Sequence, residues 1–287
     1  MDQKSTSSSQ PVPSAQAAPN QPVKEIDIEA IVRERAGNKV PKFVINWLKK
    51  FVHQEFINVY LRQGKVGVDF CTGTVEYLGV KLDVRGLENL PRDGRKYTFV
   101  SNHPLGAIDG VTLGSVLGQA YDGKVKYLVN DLLMNLEGLA PLCVPINKLG
   151  KQARNFPAIV ESAFSGDDHV IMFPAGLCSR KQKGVIRDLP WGKTFIQKSV
   201  KYKRDVVPIH FEGENSKRFY RIANLCKMLH LKFNLAMLFL PDEMYRSQGN
   251  HYTVHIGKPI PYQTFDKKQK TAMEWAQWVK DRVYEIN

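Results

Sequence analysis

A histidine and an aspartate, His103 and Asp109, lie on either side of a short segment that contains proline and glycine, 104–107. A histidine whose ring is oriented by a carboxylate keeps one ring nitrogen free to accept a proton, as a general base does. The pair therefore predicts a site that removes a proton from a nucleophile. An aspartate can also simply cap the following helix, and a turn histidine can simply bond to the backbone. Taken alone, the pair leaves both interpretations open.

A strand and a helix are predicted on the two sides of this pair. Residues 97–101 favour a buried strand, and residues 111–120 have the pattern of a helix. His103 precedes Pro104, which biases His103 away from helical backbone and places it where the strand ends. We therefore expect the histidine at the end of a buried strand and the aspartate just beyond the turn.

Strand and helix patterns alternate through the rest of the chain. The predicted strands are 81–84, 97–101, 125–128, 169–173, 206–211 and 252–256. The predicted helices are 111–120, 156–164, 192–202 and a last one at about 270–286. This alternation favours an α/β fold with a mainly parallel central sheet flanked by helices. Functional loops are then expected at the carboxyl ends of the strands.

The N-terminal part differs from this pattern. Residues 1–23 are mostly Ser, Gln, Pro and Ala and predict a disordered tail. Residues 39–61 predict one amphipathic helix, with Phe43, Trp47 and Phe51 on its apolar face and lysines opposite. Two uses of this helix remain open, because it can pack on the core of the protein or lie in the headgroup region of a membrane.

These patterns divide the chain into three parts. We expect a disordered tail at 1–23, N-terminal amphipathic helices at 24–80 and an enzyme domain at 81–287, with 24–287 as one folded unit. No apolar run approaches the roughly 20 residues of a membrane-spanning helix, and no signal-peptide core is present. We therefore expect a cytoplasmic protein, bound peripherally to the inner face of the membrane.

The chain is strongly basic, with a net charge of +13 over 287 residues. Such a charge favours anionic partners, and we expect an anionic membrane surface among them. The stretch Arg180–Arg204 holds nine basic residues and one acid, Asp188. It can be a solvated helix face, or it can bind an acidic carrier protein, CoA phosphates or anionic lipid. Nucleic acid is not expected, because no recognition motif or basic–aromatic surface is apparent.

Cysteine and histidine spacing predicts no metal site. The four cysteines form no Cys-x-x-Cys pair, which argues against a zinc ribbon and fits a reducing compartment. His251 and His255 are four residues apart in a predicted strand, where that spacing corresponds to roughly 13 Å. Cys178 is not assigned as a nucleophile, because buried structural cysteine is the commoner case. No Gly-x-Ser-x-Gly motif occurs, so a serine acyl-enzyme is not expected.

Three further segments share the arrangement of an apolar strand followed by turn and polar residues. The predicted strand 169–173 runs into Pro-Ala-Gly and then into polar residues up to Arg180. The strand around Pro208 is followed by a polar segment, 212–216. Residues Pro145–Lys148 form a shorter example. With the histidine–aspartate segment, they make an ordered set of four blocks.

This ordered set resembles the PlsC-like lysophospholipid (glycerolipid) acyltransferase family over residues 82–260. The resemblance implies the fold of that family and a histidine–aspartate pair as its catalytic base. The chain departs from the family pattern at three places. Five residues separate His103 and Asp109 where the family has four. Ala175 stands where the family has Glu, and Lys148 stands where it has Arg.

With these departures, the chain resembles a hemolysin-like branch of the same family. The resemblance lies in the segments 102–110, 173–180, 188–191 and 213–220. Enzymes of that branch O-acylate an N-(3-hydroxyacyl) amino acid. The resemblance implies acyl transfer from acyl-ACP or acyl-CoA, without a cofactor, to a lysolipid hydroxyl, with lyso-glycine or lyso-ornithine lipid favoured. Lysophosphatidic acid remains an alternative acceptor. A non-catalytic basic protein that binds membrane or nucleic acid is the alternative from another class.

We assign His103 as the base and Asp109 as the group that orients it. Backbone N–H groups near Gly176 are expected to stabilise an oxyanion. The resemblance adds a set of residues expected to bind substrate. That set is Asn102, Lys148, Arg154, Phe173, Pro174, Gly176, Ser179, Arg180 and Asn215.

Overall fold

The computed structural model of the chain describes residues 24–130, 133, 136–146, 156–229 and 235–286. The strands are β1 Lys81–Arg85, β2 Tyr97–Ser101, β3 Val125–Asn130, β4 Cys143–Ile146, β5 His169–Met172, β6 Arg180–Gln182, β7 Val185–Arg187, β8 Asp205–Phe211 and β9 His251–Ile256. The helices are α1 Ile28–Ala36, α2 Lys42–Phe51, α3 Gln54–Leu61, α4 Gly67–Tyr77, α5 Ile108–Ala120, α6 Phe156–Ser165, α7 Thr194–Lys201, α8 Lys217–Met228, α9 Leu240–Arg246 and α10 Ala272–Glu285.

A seven-stranded sheet has the order β1-β9-β8-β2-β5-β3-β4. Every neighbouring pair in it is parallel except β8 with β9. The predicted α/β fold with a mainly parallel sheet is therefore confirmed. Since β5 and β8 flank β2, the carboxyl ends of these three strands meet at one edge. The segments after them, which hold the predicted site, are brought together there. Strands β6 and β7 form a separate hairpin.

Strand β2 is buried at all five positions, because helices cover both faces of the sheet. Successive side chains of a strand point to opposite faces. Phe99 accordingly belongs to the core shared with Leu113 of α5, whereas Val100 packs in the core with Phe195 of α7 and Val279 of α10. This two-sided burial holds the end of β2 rigidly, which matters because His103 follows it.

The N-terminal segment 39–61 is not one continuous helix, so that prediction is wrong. Helices α2 and α3 are separated at His53, whose φ of 54° is left-handed and cannot continue a right-handed helix. The His53 ring stacks on Tyr245 at 3.7 Å, and its Nε2 lies 2.9 Å from Asp242 Oδ1. The break is thus fixed by contacts with α9.

The apolar face of α2 is only partly buried. Ile45 is buried, whereas the Phe43 and Trp47 residues are 74% and 57% exposed. Within the described part of the chain, each helix is too short or too polar to cross a bilayer. The predicted tail, 1–23, lies outside the described residues.

Candidate active site

Asp109 organises the turn after β2. It lies in the first turn of α5, which begins three residues earlier than predicted, and it is completely buried. Its Oδ2 is 3.1 Å from His103 Nδ1 and also accepts hydrogen bonds from the backbone N–H groups of Leu105 and Gly106, at 3.0 and 3.2 Å. The longer spacing between the two residues is accommodated because the intervening backbone wraps around this oxygen.

Gly106 is required for this wrapping. Its φ is +84°, and a Cβ atom there would meet Cys178 Sγ at 2.5 Å and a Leu240 methyl group at 2.9 Å. Burial raises the pKa of Cys178 to about 12, so its thiol remains protonated near neutral pH. The cysteine therefore packs against the turn as a small apolar side chain, which supports its omission from the catalytic set.

The His103–Asp109 pair is a close electrostatic couple. Burial alone would lower the pKa of His103, but the adjacent Asp109 carboxylate outweighs burial and raises it. Burial alone would raise the pKa of Asp109, but His103 and the two backbone amides lower it. Since Nδ1 faces Asp109, Nε2 is the ring atom left to accept a proton. This is the arrangement that a general base requires.

The segment after β5 packs against His103. The Phe173 ring stacks on the histidine ring at 4.1 Å. The backbone N–H of Ser179 donates to the His103 carbonyl at 2.8 Å. Pro174 and Gly176 form the turn between them, and the Gly176 N–H donates to the Phe173 carbonyl at 2.9 Å. Because that amide is occupied, the oxyanion contact expected near Gly176 would come from other backbone N–H groups of this segment.

Arg180 begins β6 beside the pair and is partly exposed. Its Nη1 donates to the Cys178 carbonyl at 2.6 Å, and its guanidinium group lies over the Phe219 ring at 5.6 Å. Its positive charge opposes protonation of His103. Arg180 is therefore a cation at the site with donor groups left for an anion.

The polar groups of three residues predicted to bind substrate are instead bonded within the protein, two to backbone groups and one to a carboxylate. Asn102 exchanges two hydrogen bonds with the backbone of Phe211, which joins the ends of β2 and β8. Asn215 Nδ2 donates to the Pro104 carbonyl at 3.0 Å, and the Ser179 hydroxyl donates to Asp188 at 2.6 Å. All three are buried, so the structure places their polar groups in bonds within the protein. Lys148 and Arg154 lie outside the described residues.

Asp188 is a site residue that the sequence predictions missed. Its carboxylate accepts from the His103 backbone N–H at 3.2 Å, from Ser179 and from the Trp191 indole at 2.8 Å. The available signal was its position as the one acid within the basic stretch Arg180–Arg204.

The basic stretch divides into two parts in the structure. Lys198 and Lys201 pair with Glu161, and buried Arg204 donates to three carbonyl groups at and after the end of α6. These basic residues stabilise the fold. Another three, on the β6–β7 hairpin and before α7, are exposed: Lys181, Lys183 and Lys193. Across the residues whose structure is described, no group of three His, Cys, Asp or Glu side chains is arranged to hold a metal.

The chain is also similar to known proteins. A family model described as "Acyltransferase" matches residues 30–287. A protein named lyso-glycine lipid O-acyltransferase, from Bacteroides thetaiotaomicron strain VPI-5482, is 61% identical over 91% of this chain and 97% of its own. Its namesake from Phocaeicola vulgatus is 59% identical over 91% and 95%. The solved 1-acyl-sn-glycerophosphate acyltransferase PlsC of Thermotoga maritima matches 90% of this chain and 87% of its own, at 16% identity and a TM-score of 0.46.

Proposed function

The chain belongs to the acyltransferase family, and we propose that it transfers an acyl group from a thioester to the hydroxyl of a lyso-glycine lipid. The observation that carries the chemistry is the buried His103–Asp109 couple at the end of β2. The names of two relatives about 60% identical over 91% of the chain support the acceptor. That acceptor, an N-(3-hydroxyacyl)glycine, offers one hydroxyl and one carboxylate.

The proposed reaction is a direct transfer. Nε2 of His103 takes the proton of the acceptor hydroxyl, and the oxygen attacks the thioester carbonyl carbon. The carbon–sulfur bond then breaks, and the leaving thiolate takes the proton from the imidazolium group. Asp109 stabilises the imidazolium while it exists. The ester and a free thiol are the products, and no acyl-enzyme forms.

The donor is a phosphopantetheine thioester, carried by acyl carrier protein or by CoA. Both carriers are anionic, and the exposed lysines 181, 183 and 193 offer complementary charge close to the site. We place the enzyme on the inner face of the membrane, where it would meet a membrane-bound lysolipid acceptor.

Purified enzyme tests the acceptor directly. Detergent micelles would present lyso-glycine lipid, lyso-ornithine lipid and lysophosphatidic acid side by side, each with acyl-ACP and with acyl-CoA. The proposal expects the highest kcat/KM with lyso-glycine lipid. A preference for lysophosphatidic acid would instead make this a phospholipid-synthesis enzyme. Preference between the two donors identifies the carrier.

Arg180→Ala is expected to raise the KM for lyso-glycine lipid by about tenfold and to change kcat little. The reason is that a guanidinium group beside the base is suited to the glycine carboxylate, and charge-assisted pairs of this kind contribute about 1.5–3 kcal/mol. Steady-state kinetics with varied acceptor measure the effect. Gln182→Ala, at an exposed neighbour on the same strand, is the control. An equal KM increase with the methyl ester of the acceptor would show that Arg180 does not bind the carboxylate.

The membrane-binding surface that we propose is formed by exposed apolar residues of α2 and the end of α8. Phe43 and Trp47 project from α2, and Met228 is 67% exposed at the end of α8. These elements are adjacent, because Phe51 of α2 contacts Phe239 edge-on at 4.9 Å in the segment that packs on α8. Aromatic residues beside lysines are typical of interfacial helices.

Replacing both Phe43 and Trp47 by serine is expected to weaken binding to anionic vesicles by at least about tenfold, since burying one such side chain contributes about 1.5–3 kcal/mol. Sedimentation with phosphatidylglycerol vesicles measures the partition. The control replaces Leu87 and Met273 by serine, because both are about half exposed on other elements. Equal partitioning of both double variants would contradict the assignment of this surface.

A further inference from the structure

We propose that Asp188 is a positioning residue for acyl transfer, holding His103 through its backbone while Asp109 holds its ring. This inference rests on the proposed role of His103 as the base. Asp188 follows β7, and it is far from Asp109 in the sequence. It makes no bond to the histidine ring in the described structure, so its influence passes through the main chain and through its charge.

A closed set of hydrogen bonds surrounds the His103 backbone. Asp188 Oδ1 accepts from the His103 N–H at 3.2 Å and from the Ser179 hydroxyl at 2.6 Å. The Ser179 N–H in turn donates to the His103 carbonyl at 2.8 Å. The N–H and the carbonyl of His103 are therefore both hydrogen-bonded, to Asp188 and to Ser179, which leaves the His103 backbone little freedom to shift. A shift of about 1 Å in a catalytic group can cost roughly 10²-fold in rate.

Asp188 is itself held by partners on three sides. Its Oδ2 accepts from the indole N–H of Trp191, a fully buried side chain of the core below α7 and α10. Its backbone N–H donates to the Tyr284 hydroxyl at 2.9 Å, and its carbonyl accepts from Lys280 Nζ at 2.6 Å. Both of these partners belong to α10. Asp188 thus connects the C-terminal helix and its core to the catalytic turn.

The hydrogen-bond donors around position 188 require a carboxylate there. Three donors bond to the side chain of Asp188, and this residue is only 4% exposed. An asparagine has one acceptor oxygen, so its NH2 group would face either the Trp191 indole or the His103 and Ser179 donors. A serine or threonine would not reach all three. The geometry therefore explains aspartate here without any contact to substrate.

Charge adds a second effect on the histidine. Charged groups from three elements act on His103: Asp109 of α5, Asp188 after β7 and Arg180 of β6. Burial alone would lower the pKa of His103, the two carboxylates raise it, and Arg180 lowers it. Removing the Asp188 charge should therefore move the acidic limb of the kcat/KM profile to lower pH. A residue that only stabilised the fold would leave this limb unchanged.

Two variants separate geometry from charge. Asp188→Asn should lower kcat about tenfold, leave the acceptor KM within about twofold, and shift the acidic limb downward. Ser179→Ala keeps the Asp188 charge but removes the hydrogen bond from the Ser179 hydroxyl to Asp188. It should therefore lower kcat by about threefold without moving the acidic limb of the kcat/KM profile. Asp281→Asn is the matched control, because Asp281 is an exposed acid of α10 that pairs with Arg187. It should match the wild type in kcat and in pH profile.

NMR titration of the His103 imidazole compares the His103 pKa of the wild type and the variants without any turnover. Its result therefore does not depend on whether the proposed acceptor is correct. The proposal expects a lower His103 pKa in Asp188→Asn than in the wild type and no change in Ser179→Ala. Wild-type kcat and an unshifted titration in folded Asp188→Asn would overturn it. If Asp188→Asn does not fold, wild-type kcat in folded Ser179→Ala overturns the positioning role.

Discussion

Replacing His103 by alanine is expected to lower kcat for acyl transfer by about 10²–10⁴-fold, the range that general-base catalysis contributes. The acceptor hydroxyl would lose the group that takes its proton, and no described side chain near the turn can replace it. Cys178 is protonated near neutral pH, because burial raises its pKa to about 12. The measurement is single-turnover acyl transfer with lyso-glycine lipid at saturating donor.

The fold should survive this substitution. Without the imidazole, the Asp109 carboxylate still accepts from the N–H groups of Leu105 and Gly106. Thermal unfolding should therefore confirm a folded protein before kinetics are compared. His251→Ala is the control, since His251 is an exposed histidine of β9. If His103→Ala turned over at the wild-type rate, the base would have to be another residue and the mechanism would be wrong.

The central strands were predictable because their sequence signal is local. Strand β2 has the predicted bounds, and β8 begins one residue earlier than predicted. Both are buried almost throughout. Apolar β-branched and aromatic residues bounded by turn residues give this pattern wherever a strand is covered on both faces. The order of the strands then brings the predicted blocks to one edge of the sheet.

The break between α2 and α3 was not predictable in the same way. The periodicity of 39–61 continues through His53, whose left-handed backbone depends on contacts with Tyr245 and Asp242. Those partners lie about 190 residues further along the chain. A local pattern contains no information about such contacts, so tertiary structure overrides it.

The site residues also differ in whether their roles can be seen in the local sequence or depend on contacts made in the assembled fold. His103 and Asp109 were identifiable because their chemistry and spacing are local. Asn102, Ser179 and Asn215 stand in the correct segments, but a motif position does not reveal the direction of a side chain. Each satisfies a buried polar group at a junction between segments. Buried polar groups must be paired, and their partners emerge only when the strands are assembled.

This organisation leaves few side chains of the described turn free to contact an acceptor. The side chains at the ends of β2 and β8 are used to hold backbone, so they present little to a ligand. Phe173 supports the histidine ring, and Arg180 offers the charge beside it. An acceptor with a single carboxylate suits one such cation, whereas the ammonium group of an ornithine headgroup would add repulsion.

Asp109→Asn is expected to lower kcat by about 10²-fold, because the charge that stabilises the imidazolium is lost. Asparagine retains one oxygen, which can accept from the histidine ring and from the amides of Leu105 and Gly106 as Oδ2 does now, and only the bond from the Gly110 N–H to Oδ1 is lost. The turn should therefore persist, and the loss is electrostatic. Because Asp109 raises the pKa of His103 above its ordinary value of 6.5, the variant should have a lower His103 pKa. The acidic limb of kcat/KM should accordingly move to lower pH, while the plateau falls. Asp122→Asn, at an exposed left-handed position just after the same helix, is the control and should match the wild type. A fall in rate with an unmoved limb would mean that Asp109 acts only by holding the turn.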